Sequence, residues 1–211
     1  MLNQLSYSKY TLALVKEKFG LSTEERLSLF PGVRALAVSS HLTQALENFV
    51  PLALAINTEK ARSEWIIAPI LGEVRQLLHK QISLFSGVEL DGDAEQGLTG
   101  VCDYIISRSP EQYYLATPVV TIIEAKKENI IAGLGQCVAS MMGARVFNAR
   151  EGKPVQTIYG AVTTGNQWKF LKLEGQVAYI DLDDYYLVDI GKIVAILSSM
   201  ALPEVVALTV A

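Results

Sequence analysis

The character of the sequence changes at about residue 82, and this change limits the possible folds more than any other feature. Before it, apolar residues recur at the spacing of amphipathic helices. After it, short apolar segments rich in β-branched residues predict strands, interrupted by one long helical segment. Helices followed by alternating groups of strands and helices predict an α/β fold with a mixed central sheet.

The individual elements follow from the same patterns. Helices are predicted at 10–19, from 22 onward, at 41–56, at 63–77, at 129–148 and at 191–200. Strands are predicted at 83–90, 101–107, 118–125, 158–163, 168–173 and 177–186. Turns are predicted after Gly20, at 91–93 and at 164–166. Pro51 predicts a kink, and Pro69 a bend or a restart, in the helix that contains it.

A single domain accounts for the whole chain, residues 1–211. No internal repeat and no linker rich in Pro, Gly or Ser divides the sequence. Hydrophobic residues make up 50% of the chain and charged residues 19%, a composition that excludes an intrinsically disordered protein.

The distribution of apolar residues also bears on location. No apolar run reaches the roughly 18 uncharged residues that a membrane-spanning helix requires. The closest segment, 190–202, contains Lys192 and is followed by Pro203, which favours a core helix or an oligomer contact. The first ten residues, MLNQLSYSKY, place polar side chains where a secretory signal requires an apolar stretch. We therefore expect a cytoplasmic protein without a membrane partner.

Residue usage and charge exclude several kinds of site. Cys102 and Cys137 are too few for a disulfide framework or a cysteine-based zinc site. His41 and His79 lie far from any acidic cluster in the sequence, so a mechanism centred on histidine has no support. The net charge of −4 argues against a broad basic surface for nucleic acid. A metal-binding carboxylate cluster adds negative charge of its own, however, and bound cations offset it locally.

Three polar residues stand out because apolar sequence surrounds them. Asp103 interrupts the strand predicted at 101–107, and Glu124 follows the apolar run 119–123, with Lys126 two residues later. Side chains alternate between the two faces of a strand, so Glu124 and Lys126 project from the same side. A neighbouring strand can bring Asp103 beside them. The alternatives are a turn or edge position for Asp103 and a surface ion pair between Glu124 and Lys126.

This set of groups suits the hydrolysis of a phosphodiester. Two carboxylates offer the hard oxygen ligands that Mg²⁺ or Mn²⁺ prefers, and the backbone carbonyl of Ala125 offers another. A divalent cation held there orients and acidifies a water molecule. A lysine beside that water positions it or stabilises the charge that develops.

The pattern resembles the signature of the PD-(D/E)XK nuclease superfamily. Asp103, a spacer of twenty residues and then Glu124-Ala125-Lys126 match that signature, although Cys102 stands where the family name has proline. The resemblance implies a restriction endonuclease-like core of helix, three strands, helix and strand over residues 63–173. Residues 1–60 then form an added helical segment, and residues 174–211 a C-terminal strand and helix.

The same resemblance implies further roles and partners. Asp103 and Glu124 are expected to bind the metal, and Lys126 is expected to be catalytic. Gln136 is expected to support the site, and a glutamate on the first core helix to be a further metal ligand. Glu73 is preferred there over Glu64. The residues from Glu124 to Trp168 are also similar to the N-terminal nuclease domain of type I restriction subunits and to uncharacterised cyanobacterial proteins. DNA as substrate and a homodimer are therefore expected.

Two functions of different classes stay open at this stage. The first is a metal-dependent DNA endonuclease or a related phosphodiesterase. The second is a nuclease-fold protein without catalysis that acts as an oligomeric binding or scaffold module, which the acidic composition and the apolar C-terminal segment favour. A small-molecule enzyme on another α/β fold has no support, because the sequence contains no G-x-G-x-x-G, phosphate-binding loop or G-x-S-x-G motif.

Overall fold

The computed structural model describes residues 5–202, a mixture of helices and strands. The helices are α1 (Leu12–Phe19), α2 (Ser40–Ile56), α3 (Glu59–Arg62), α4 (Ala68–Leu77), α5 (Ile130–Arg150) and α6 (Ile190–Ala201). A π-helical turn, Ser63–Ile67, joins α3 to α4, and short 3₁₀ helices lie at Tyr7–Lys9 and Leu187–Asp189. The strands are β1 (Ser22–Glu24), β2 (Ser83–Asp93), β3 (Leu98–Ser107), β4 (Val119–Ala125), β5 (Thr157–Thr163), β6 (Gln167–Glu174), β7 (Val177–Ile180) and β8 (Tyr185–Tyr186).

All the strands belong to one mixed sheet. Its order is β1-β7-β6-β5-β4-β3-β2, and β8 pairs with β6 outside that path. The pairs β1–β7 and β4–β5 are parallel, and every other pair in the sheet is antiparallel. The predicted α/β fold with a mixed central sheet is thus confirmed.

Strand β4 lies inside the sheet, and all seven of its residues are buried. Helix α5 covers one face of the sheet together with the N-terminal segment, whereas α2, α4 and α6 cover the other. A strand covered on both faces carries a nearly continuous apolar sequence. A charged residue at its carboxyl end, such as Glu124, is therefore enclosed by the fold.

Two local expectations are wrong. Residues 22–24 form strand β1, not the start of a helix, and pair in parallel with β7. Residues 91–93 continue strand β2, with a register shift between Asp91 and Asp93 where a turn was expected. In both places backbone pairing with another strand, β7 for residues 22–24 and the adjacent β3 for residues 91–93, outweighs a weak local preference. The segment 1–60 is accordingly not only helical, and residues 174–202 contain two strands before the helix.

The two prolines occupy different positions in their helices, and the kink expected at Pro51 stays a prediction. Pro51 lies inside α2, whereas Pro69 lies in the first turn of α4, directly after the π-helical turn. Proline is tolerated there because the first N–H groups of a helix have no partner within it. The predicted restart is therefore the arrangement found. The polar residues 1–4, and residues 203–211 of the C-terminal segment, lie outside the described part of the chain.

Most residues of helix α5 are buried inside the protein. Within residues 5–202 it alone is long and apolar enough to cross a membrane, by length and composition only, and 67% of the relevant window is buried inside the protein. Its glycines allow close packing, since a side chain at Gly135 would collide with the backbone of Thr11 and Leu12. This burial is typical of a core helix.

A substitution pair tests this close packing. Gly135→Ala is expected to lower the free energy of unfolding by about 1–3 kcal/mol, because the added methyl group pushes α5 from the start of α1. Gly72→Ala in α4 is the control, because its methyl group would meet no atom within 4 Å and alanine favours helix by about 0.5–1 kcal/mol. Urea unfolding measures both. An equal stability of the two variants contradicts the packing argument.

Candidate functional site

Two neighbouring strands bring Asp103, in the middle of β3, close to Glu124, near the end of β4. Register pairing of β3 with β4 begins at Tyr104 opposite Ile123, so the strands separate at Asp103. There the Asp103 side chain takes the place of a backbone partner. Its Oδ2 accepts a hydrogen bond from the backbone N–H of Ala125 at 2.8 Å. Asp103 is therefore held beside the Glu-Ala-Lys segment, not in a turn or at an edge of the sheet.

The carboxyl group of Glu124 lies in the interior, where helix α5 supplies its partners. Its side chain is 0% exposed, which excludes a surface ion pair. Gln136 Nε2 donates to Glu124 Oε2 at 2.6 Å, and Ser140 Oγ donates to Glu124 Oε1 at 3.2 Å. These two donors fix the orientation of the carboxyl group.

The surroundings of Glu124 disfavour its charged form. The pKa of this carboxyl group is raised to about 8, chiefly by burial and then by the neighbouring Asp103, while Lys126 and Ser140 oppose the change. Two acidic groups at such close quarters cannot both ionise at low cost unless a cation lies near them. The Lys126 ammonium group is the cation that the structure places beside Glu124.

Lys126 approaches Glu124 from the same side of β4. Its Nζ lies 3.8 Å from Glu124 Oε2 and donates to the backbone oxygen of Ala125 at 2.8 Å. A methyl group on Gly133 would come within 3.1 Å of the lysine side chain, so this glycine of α5 leaves room for the lysine stem. The Lys126 backbone N–H donates to Thr163 O at 2.8 Å, which continues the pairing of β4 with β5.

A pocket of about 380 Å³ opens beside these residues. The lining residues are Glu59, Lys60, Ser63, Glu64, Ala68, Ser86, Asp103, Tyr104 and Ala125. Asp103 and Ala125 thus border the pocket. Glu64, in the π-helical turn, borders the same pocket. Lys60 pairs with Glu64 at 2.9 Å at its rim.

The donor set fits a hard divalent cation. Mg²⁺ is commonly bound by one or two carboxylates and retains several waters, so it does not need a cage made of protein alone. Asp103, Glu124 and the Ala125 carbonyl provide that set. Among residues 5–202 no group of three or more His, Cys, Asp or Glu side chains that could hold a metal is present.

Glu73 does not belong to this site, which corrects the preference for it over Glu64. Its carboxylate accepts hydrogen bonds from the backbone N–H of Ser39 at 2.7 Å and from Ser39 Oγ at 2.8 Å. Ser39 in turn caps helix α2. Glu73 lines a separate pocket with His41 and Gln76. Its position further along the first core helix turns it toward α2, whereas Glu64 lies earlier and borders the Asp103 pocket.

This assignment gives a direct test. Glu73→Ala is expected to lower the free energy of unfolding by about 1–3 kcal/mol, because Ser39 loses its carboxylate partner. The affinity for Mn²⁺, measured by calorimetric titration, is expected to stay unchanged, whereas Asp103→Asn lowers it. A loss of Mn²⁺ affinity in Glu73→Ala as large as that in Asp103→Asn contradicts the structural role.

Sequence reasoning missed Ser140, which binds the second oxygen of Glu124. A signal was present, since Ser140 follows Gln136 by one helical turn and so shares its face of α5. It also missed the paired hydroxyls of Ser63 and Tyr104, 2.7 Å apart, in the pocket wall. No local pattern indicates that pair, because the two residues belong to distant elements.

The site thus brings together two acidic groups, a positioned ammonium group and an accessible pocket. Comparison of the chain with protein-family models, with curated proteins and with solved structures finds no match.

Proposed function

We propose that the protein is a metal-dependent phosphodiesterase of the PD-(D/E)XK type that cleaves DNA. One observation carries the proposal: Asp103 and Glu124 lie side by side where the pairing of β3 with β4 ends, with Lys126 Nζ 3.8 Å from Glu124. The three residues of the motif therefore share one location, although Asp103 belongs to a different strand.

The fold also supports this proposal. The order of α4, β2, β3, β4, α5 and β5 agrees with the restriction endonuclease-like core of helix, three strands, helix and strand. The motif then lies on the second and third strands of that core, and Gln136 on the helix that follows. On this view β1, β6, β7 and β8 extend the core sheet on one side.

Each residue of the site has a distinct task in this mechanism. Asp103, Glu124 and the Ala125 carbonyl would hold Mg²⁺ or Mn²⁺, which when bound supplies an acidified water and neutralises phosphate charge. Lys126 donates hydrogen bonds to the attacking water or to a phosphate oxygen and stabilises the developing negative charge. Gln136 and Ser140 keep the Glu124 carboxyl group in place. The pocket beside Asp103 admits the phosphate.

A second candidate function rests on the burial of Glu124. Its carboxyl group is enclosed, satisfied by two donors and has its pKa raised to about 8, so it is mostly protonated at neutral pH. A nuclease fold that lost catalysis and serves as an oligomeric module is consistent with such a state. Exposed apolar residues near the end of α2, Leu52, Leu54 and Ile56, offer a surface for a second copy of the chain.

Two measurements separate the candidates. Supercoiled plasmid and branched DNA are incubated with Mg²⁺ or Mn²⁺, and parallel reactions contain EDTA. Calorimetric titration with Mn²⁺ reports metal binding independently of cleavage. Metal-dependent nicking together with Mn²⁺ binding that Asp103→Asn weakens supports the phosphodiesterase. The absence of both at millimolar metal, with a dimer in sedimentation, supports the scaffold.

A further inference from the structure

The pocket beside Asp103 lies between two walls that come from different parts of the fold. Strands β2, β3 and β4 form one wall, which includes Asp103 and Tyr104. The helical segment that contains the π-helical turn forms the other wall, which includes Ser63 and Glu64. Because the two walls are distant in sequence, the width of the pocket depends on the contacts that join them.

The helical wall has an unusual backbone at the pocket. The π-helical turn, Ser63–Ile67, is closed by a hydrogen bond from the Ala68 N–H to Ser63 O. Pro69 follows directly and has no N–H, so it cannot continue the ladder of α-helical bonds in the turn before it. Such turns are rare and occur frequently at functional sites. The Ser63 carbonyl is therefore the backbone group on which the shape of this wall depends.

Tyr104 bonds that same carbonyl from the opposite wall. Its phenolic hydroxyl group donates to Ser63 O at 2.9 Å and lies 2.7 Å from Ser63 Oγ. Tyr104 is 3% exposed, so water competes little for these bonds. The π-helical turn is thus closed from within the helix by Ala68 and held against the sheet by Tyr104.

This contact sets the position of the helical wall relative to the candidate metal ligands. Tyr104 follows Asp103 directly in β3, and Glu64 follows Ser63 directly in the turn. Separate hydrogen bonds hold the acidic groups themselves: Asp103 accepts from the Ala125 N–H, and Glu124 accepts from Gln136. Tyr104 therefore acts on the spacing of the two walls and not on the orientation of the ligands.

We propose that Tyr104 is a positioning residue of the site, whose bonds to Ser63 hold the pocket at the width that admits the substrate phosphate. The identity of the substrate rests on the proposed phosphodiesterase function. The connection between the two walls rests on the two measured contacts alone.

Steady-state kinetics test this role. Plasmid nicking at saturating Mn²⁺ gives kcat and KM for the wild type and for Tyr104→Phe, which keeps the ring and loses the hydroxyl group. KM is expected to rise about tenfold with kcat changed less than about twofold, because substrate binding then has to order the helical wall. Tyr10→Phe is the matched control: Tyr10 is also 3% exposed, and its hydroxyl group donates to Gln96 O at 2.7 Å, away from the pocket lining.

Two further measurements do not depend on cleavage. Hydrogen exchange of the Ala68 N–H is expected to be faster in Tyr104→Phe than in the wild type, because Ser63 O loses its second partner, and unchanged in Tyr10→Phe. Calorimetric titration is expected to give the same Mn²⁺ affinity for both variants. Ser63→Ala, which removes the hydroxyl contact and keeps the carbonyl bond, is expected to show a smaller change and replaces Tyr104→Phe if that variant does not fold.

Each outcome decides between the possibilities. Plasmid nicking with an unchanged KM in Tyr104→Phe, or with an equal rise in Tyr10→Phe, supports the phosphodiesterase and overturns the positioning role. A loss of Mn²⁺ affinity in Tyr104→Phe overturns it as well, since the tyrosine then acts on the ligands. A wild type that does not nick DNA contradicts the phosphodiesterase, while faster exchange at Ala68 in Tyr104→Phe alone still supports the connection between the walls.

Discussion

Replacement of Lys126 by methionine is expected to lower the rate of metal-dependent DNA cleavage by about 10²–10³-fold, the effect of removing one preorganised charge-stabilising donor. The physical reason is the position of Nζ, which lies 3.8 Å from Glu124 Oε2 at the end of β4. Without the ammonium group, the charge that develops on the phosphate loses its nearest protein donor. The rate is measured as nicking of supercoiled plasmid at saturating Mn²⁺.

Methionine is chosen because it keeps an unbranched apolar stem over Gly133. The fold is therefore expected to survive, and thermal unfolding checks this directly. Lys127→Met is the matched control: Lys127 is the next residue, its side chain is 51% exposed, and it pairs with Glu128. Equal cleavage rates for the wild type and Lys126→Met would remove the proposed mechanism, whatever Lys127→Met does.

Replacement of Glu124 by glutamine is expected to remove a large pH dependence of stability in the metal-free protein. The pKa of Glu124 is raised from 4.5 to about 8, chiefly by burial and then by Asp103. The folded protein therefore keeps a proton that the unfolded chain releases above about pH 4.5. This contribution is complete below the unfolded pKa and is lost as pH rises through the folded pKa. The loss amounts to roughly 1.4 kcal/mol per pH unit in that window.

The measurement is urea unfolding of both proteins in EDTA from pH 5 to pH 8. Glutamine is neutral and keeps one oxygen that accepts from Gln136, while its NH₂ group can donate to the Ser140 hydroxyl, so the stability of this variant lacks the pH dependence that Glu124 causes. The wild type is expected to lose stability relative to Glu124→Gln with each step to higher pH. Glu89→Gln, at an exposed position of β2, controls for the loss of one acidic residue. Parallel curves for the wild type and Glu124→Gln would contradict the description of Glu124 as a protonated, buried group.

Most elements of the fold could be predicted from local pattern alone. Helix α1 ends at Gly20, whose φ of 64° suits glycine, as the sequence indicates. The apolar run that ends at Glu124 predicts β4, and Thr164-Gly165-Asn166 predicts the turn between β5 and β6. The predictions for these segments hold because the spacing of apolar residues and the preferences of turn residues act over a few neighbouring residues. Strand β1 could not be found in this way, because it depends on the open edge of β7.

Some features of the candidate site could likewise be predicted from local sequence, and others could not. The alternation of side chains on a strand was enough to put Glu124 and Lys126 on one side, and the i, i+4 spacing in α5 puts Gln136 and Ser140 on one face. The choice between Glu64 and Glu73 needed the tertiary structure. Both belong to the same helical region of the sequence, and only the packing of α2 shows that Ser39 binds Glu73.

The sequence by itself determined most of the succession of helices and strands, the mixed α/β class, and the side of β4 from which Glu124 and Lys126 project. These properties depend on residues a few positions apart. The tertiary structure decided that the Asp103 carboxylate bonds the Ala125 N–H, that Glu124 is enclosed with its pKa raised, and that Glu64 rather than Glu73 borders the pocket. Burial and contact between distant segments set these properties, because they depend on which surfaces of the folded chain meet.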